Sequence, residues 1–175
     1  MTNHLIGSGM LKKCYRMKSS GIFKSSRVHV LRLSPNEDLL ECLYRYARVL
    51  HISAASIVST VGSLKTTNIR YANQNNGQSL TGHFEIVSLV GNIDLQSISS
   101  VNTNTNEGSG HVHISVSNET GGIIGGHLLV GNIVYTTAEI TLLEIVQAEF
   151  DRQLDDVNDG GSGYEELVVL REGAQ

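Results

Sequence analysis

Three of the chain's seven histidines fall between residues 111 and 127, in the segment HVHISVSNETGGIIGGH. From His111 to Ser117 the residues alternate. Val112, Ile114 and Val116 point one way and His111, His113, Ser115 and Ser117 the other, the pattern of a half-buried strand. Residues two apart in a strand share a face, so His111 and His113 present two imidazoles together. Asn118–Gly122 (NETGG) has the composition of a turn. Gly125-Gly126 precedes His127, and a glycine pair is expected to bend there and carry the third imidazole back to the first two. Three neutral imidazoles on one wall suit a divalent metal that keeps an open coordination position. Isolated His-x-His triplets are also common as ordinary surface or core histidines. The third histidine behind the glycines sharpens the signal.

Such a site needs a water or a carboxylate to complete it. Zinc is the expected ion, although other divalent transition metals accept imidazole. Glu85 is the candidate acid or base, and Arg70 the candidate anchor for a substrate carboxylate, whose two oxygens match a guanidinium fork. A plainer expectation is that Glu85 and Arg70 pair with each other or across a subunit interface. Glu139 is an alternative support for the ligands. Ser115 and Ser117 lack an evident general base and read as polar strand residues.

The rest of the chain must position these groups. At 175 residues, 40% hydrophobic, with one Pro and no Trp, it is expected to form a single globular domain. The net charge is −4, but seven Lys and Arg precede the first acidic residue, Glu37, and ten Asp and Glu against two Arg follow from Glu139 onward. Two cysteines in unrelated contexts, Cys14 and Cys42, indicate neither a disulfide framework nor a thiolate zinc site. No apolar run approaches membrane-span length. Residues 1–26 read as a basic, flexible leader, with a mitochondrial presequence as the rival reading. A cytoplasmic location is expected, with nucleus or mitochondrion as alternatives.

Arg27–Leu33 reads as a first strand. Ser34-Pro35-Asn36-Glu37 reads as a helix start, with Ser34 as N-cap and Glu37 as its capping-box partner. Leu39, Leu40, Leu43, Ala47 and Leu50 then recur at helical spacing. Ser53–Leu64 and Thr66–Tyr71 read as two strands, and residues 73–77 as a hairpin loop. Leu80–Ile93 reads as the strongest strand, with Gly82 and Gly91 as bulge candidates. Residues 94–110 read as a loop, Leu128–Phe150 carries a long β-branched run, and Tyr164–Arg171 reads as a last strand. The sum is an α+β fold, a largely antiparallel sheet of about seven strands with one main helix.

The succession LRLSPNEDLLE, AASIVSTVGSL, IRYA, LTGHFEIVSLVGNI and HVHISVSNETGGIIGGHLLVGNIVYTTAEI resembles the plants-and-prokaryotes-conserved domain over about Val28 to Ile145. Phe150-Asp151-Arg152 and Gly163–Leu167 echo the tail of bacterial members. Residues 27–149 are accordingly assigned to the domain and 150–175 to an acidic tail with a final strand. The resemblance implies a homotrimer and a metal cluster at His111, His113 and His127. It also implies a fold shared with acetolactate decarboxylase, a zinc lyase, although fold does not imply function. Plant members add an AT-hook, an Arg-Gly-Arg-Pro type segment. This chain has none, and His83 stands where the plant proteins carry an arginine in their partner-contact region. No sequence-specific DNA binding and no membrane association are expected. The partners are other copies of the chain and a small-molecule ligand. Two functions follow: metal-assisted chemistry on a small carbonyl or carboxylate metabolite, or a non-catalytic interaction module with a structural metal.

Overall fold

The computed structural model describes residues 21–94 and 110–171. Strand β1 (Ser26–Leu33) leads into helix α1 (Leu39–Val49). There follow β2 (Ala54–Arg70), β3 (Gln78–Asp94), β4 (His111–Ser117), β5 (Ile123–Leu128) and β6 (Ile133–Ile145). A hairpin of β7 (Ala148–Leu154) and β8 (Glu165–Arg171) ends the described chain. Six strands form one antiparallel sheet in the order β1-β6-β2-β3-β4-β5, and β5 turns back to pair with the end of β2. The ring of pairings β2-β3-β4-β5-β2 is thus closed, which leaves no free edge at β5 beside the histidines. The fold is α+β, mostly antiparallel with one α-helix among the described residues. None of them form a helix long and apolar enough to cross a membrane.

α1 forms where expected but starts later. Asp38, not Ser34, is the N-cap, and its Oδ1 accepts from the Leu40 and Glu41 amides at 3.0 Å each. The Ser34–Glu37 bond does form, with the Ser34 amide donating to Glu37 Oε2 at 2.7 Å. It closes a turn ahead of the helix, because Asn36 adopts φ +73° and interrupts helical geometry. Asp38 also accepts from the Gly131 amide at 2.6 Å, which ties the helix start to the β5–β6 connection. The helix buries Leu39, Leu40, Leu43, Tyr44 and Ala47 against the sheet. Each buried leucine contributes about 1.5–3 kcal/mol of transfer free energy. The core beneath it gathers Leu64, Ile69, Ile93, Val112, Val116, Ile140 and Leu142.

Ser53–Leu64 and Thr66–Tyr71 are one strand, not two. A register shift between Leu64 and Thr66 absorbs the irregularity while pairing continues to β3 and β6. That shift makes Gly82 part of a bulge, as expected, because Gly82 and His83 together face Lys65 alone, whereas Gly91 is not a bulge. The β3–β4 shift lies between Ile86 and Ser88, and Gly91 stays in register opposite Val112. Gly91 is needed for space: at φ +154° a Cβ would overlap the His111 carbonyl. The expected boundary at 149/150 falls inside β7. This strand docks on the domain through the Phe150 amide, which donates to the Ser53 carbonyl at 3.1 Å, and by packing Ala148 and Phe150 on Ala54. Leader residues 1–20, including Cys14, and most of the 94–110 loop lie outside the described residues.

One sheet face remains open. Val28, Val30, Val58, Val61, Val87 and Val90 are each more than half exposed, between 51% and 77%.

Candidate metal centre

β4 alternates as read: Val112, Ile114 and Val116 are buried, while His111 and His113 are exposed. His127 reaches them by a route other than a glycine bend. Gly125 and Gly126 lie within β5, opposite Ser115 and Ile114, and the strand runs on unbroken. His127 is simply the cross-strand partner of His113. The glycines serve close approach, since a Cβ on Gly126 would meet the Arg70 carbonyl at 2.6 Å. β5 is further locked by Asn132, fully buried. Its Oδ1 accepts from Thr67 Oγ1 at 2.8 Å and the Asn68 amide at 3.0 Å, and its Nδ2 donates to the Asn68 and Leu129 carbonyls. Both polar atoms of its side chain are satisfied, so it fixes β5 on β2 without an unpaired buried amide group.

The three rings face one another. His111 Nε2 and His113 Nε2 are 3.0 Å apart, and one ligand atom from each of the three histidines lies within 4.8 Å of the others. Ring centroids are 4.9 Å apart for His111–His113, 5.7 Å for His111–His127 and 5.5 Å for His113–His127. Burial pushes the His127 imidazole down to about 4, and the Arg70 charge adds to the shift. His111 is lowered first by burial, then by His113 and Arg152, against an opposing effect of Glu166. His127 is therefore neutral at physiological pH, the form that ligates metal. Nitrogens in a tetrahedral zinc shell stand about 3.3 Å apart, so small ring rotations bring this donor set to a cation. No further His, Cys, Asp or Glu joins the group among the described residues.

Of the other expected residues, Arg70 is at the site. It pairs across the β2–β5 contact with His127. Glu85 is not: it sits mid-strand on β3, opposite Ser63 and Ser117, the end of β4 away from His111 and His113. It lies five residues from Val90, the partner of His113, a separation on the order of 15 Å. No ion pair joins it to Arg70, so the plain pairing expectation is also unmet within one chain. Glu139 sits on β6 opposite Arg32 and Val61, away from the cluster. No ring nitrogen of the three histidines is hydrogen-bonded to Ser115 or Ser117. His83 stacks on Tyr135 at 4.1 Å.

The structure adds residues that sequence reading did not single out. Arg152 on β7 forms an ion pair with fully buried Asp94, Nε to Oδ2 3.7 Å. Asp94 closes β3 two residues beyond Asn92, the register partner of His111. Glu166, on β8, accepts from Ser162 Oγ at 2.8 Å. The only sequence signals for this group were the Phe150-Asp151-Arg152 and Gly163–Leu167 echoes. Nothing in local periodicity ties it to histidines some forty residues upstream.

Residues 21–146 match the model of the Plants and Prokaryotes Conserved domain. The chain is 36% identical over 145 residues to the bifunctional protein GlmU of Synechococcus sp. (strain JA-3-3Ab), a match covering 83% of this chain and 21% of that protein. It thus spans about a fifth of the length of the curated relatives it matches. A hypothetical protein from Salmonella cholerae-suis superposes with TM-score 0.74 at 32% identity, over 85% of this chain and 96% of that one. A metal-containing protein from Archaeoglobus fulgidus shares the fold with TM-score 0.65 at 23% identity, over 84% and 96% of the two chains.

Proposed function

Because this chain belongs to the Plants and Prokaryotes Conserved domain family, we propose that it is a homotrimer holding one zinc ion per chain at His111, His113 and His127. The site would act on a small carbonyl or carboxylate metabolite. The observation that carries this reading is the convergence of three ligand nitrogens within 4.8 Å with no fourth protein ligand among the described residues. That is the donor set of a site with an open position. Such an ion, when bound, polarises a carbonyl or lowers the pKa of a coordinated water. The chain's own residues do the rest. β4 and β5 fix the ligand rings by register, burial keeps His127 neutral, and Arg70 presents its guanidinium beside His127 to hold a carboxylate. The Archaeoglobus fold relative is metal-containing, which agrees with the reading. The exposed valine face agrees with association, since apolar area of that kind is normally covered.

The second function, a non-catalytic module with a structural metal, predicts a closed coordination shell. Cobalt-substituted protein separates the two. An open site changes its visible spectrum when azide is added, whereas a closed four-ligand site does not. An unchanged spectrum overturns the open-site reading.

A further inference from the structure

Two buried guanidinium N–H groups near the histidines have no hydrogen-bond partner among the described residues: Arg70 Nε and Arg152 Nη2. A buried, charged, unsatisfied donor is costly, and native proteins reserve such groups for water, ions or ligands. The two arms come from opposite sides of the cluster. Arg70 is the cross-strand partner of His127. Arg152 is held by Asp94, at the end of β3 that pairs with His111. The rings of His111 and His127 are only 5.7 Å apart, so a ligand lying across them is short.

We infer that Arg70 and Arg152 form a two-armed anion cradle over the histidine face, and that its ligand is a small dicarboxylate with one carboxylate on each arm. Asp94 is the positioning residue for Arg152, its buried carboxylate 3.7 Å from Nε while Nη2 makes no hydrogen bond among the described residues. Planar guanidinium donors bind carboxylates bidentately, which favours arginine over lysine in this role. Arg152 also lies beyond the residues matched by the family model, 21–146, so the second arm belongs to the β7–β8 hairpin. Both arms flank the histidine face, Arg70 opposite His127 and Arg152 against Asp94. Arg70, Arg152, Asp94 and Glu166 balance one another there. A bound divalent cation would add the positive excess that selects a dianion. In this respect the inference rests on the metal reading above.

Calorimetric titration of the zinc-loaded full chain with malonate, propionate and malonamide tests it. Malonate should bind at least about tenfold tighter than propionate, and malonamide should not bind. Arg152→Gln and Arg70→Gln should each weaken malonate about tenfold, with zinc content and far-UV circular dichroism unchanged. Equal binding of malonate and propionate, or parent-like malonate affinity in Arg152→Gln, overturns the proposal. Should loss of the Asp94 partner unfold that variant, Arg152→Lys keeps the charge and loses the fork. Parent-like affinity in Arg152→Lys then overturns it, and weakened binding supports it. A chain that takes up no zinc defeats the metal reading separately. The titration on metal-free protein then decides the cradle: malonate binding weakened in Arg152→Gln supports it, and no malonate binding overturns it.

Discussion

His113 and His127 stand directly opposite each other across the β4–β5 pair, their rings 5.5 Å apart and at 87°. Perpendicular rings cannot stack, but they can turn their nitrogens to a common point, with His111 Nε2 already 3.0 Å from His113 Nε2. His113 thus makes the two shortest ring contacts of the cluster, along its own strand and across to β5.

His113→Ala should therefore remove most of the bound metal. Elemental analysis of untagged protein, prepared without chelator or a nickel column, should find about one metal per chain for the parent. The variant should hold a small fraction of that and keep its assembly state. Full retention by the variant would sink the proposed ligand set.

The pH dependence follows from the lowered imidazoles. His127 titrates at about 4 in the folded chain against 6.5 unperturbed. Between these values the unfolded chain binds a proton that the folded chain refuses, so stability is full above about 6.5 and falls as pH drops towards 4. Metal-free protein should show a declining Tm over that window, and His127→Asn should flatten the decline. Competition by protons for the metal at His127 should likewise set in below the range of a free imidazole.

Gly91→Ala should damage fold and site together. The added methyl would press on the His111 carbonyl at a φ of +154°, separating β3 from β4 where the histidines begin. Urea denaturation should show a loss of about 2–4 kcal/mol, accompanied by reduced metal content. A parent-like midpoint would show that the strands can shift to admit a Cβ.

The assembly should weigh about three times the 19.0 kDa chain by light scattering after size exclusion. Val30 and Val61 lie on the open apolar face, 77% and 66% exposed in the single chain. Val30→Asp with Val61→Asp should dissociate the trimer if that face is the interface, because buried unpaired carboxylates are costly. A monomeric parent at micromolar concentration would refute trimerisation.

Sequence-selective DNA binding should be absent. The net charge is −4 and the acidic residues dominate from Glu139 onward. Gel shifts at physiological salt should give no discrete, sequence-dependent complex.

What the sequence determined by itself was local. The alternation of β4, the amphipathic face of α1 and the type of the three histidines follow from periods of two and 3.6 residues, which neighbours in the chain impose. The β7–β8 hairpin was half legible, through its final strand. Tertiary structure decided everything that depends on register between distant strands. It replaced a glycine bend at Gly125-Gly126 with the pairing of His113 to His127. It left Glu85 opposite the far end of β4, brought Arg70 beside His127, and set Arg152 against Asp94 next to the site. A strand pattern says which face a side chain takes but not how far along its neighbour it sits. That distance is fixed only when backbone hydrogen bonds, the buried Asn132 and the close approaches at Gly91 and Gly126 settle one alignment out of many.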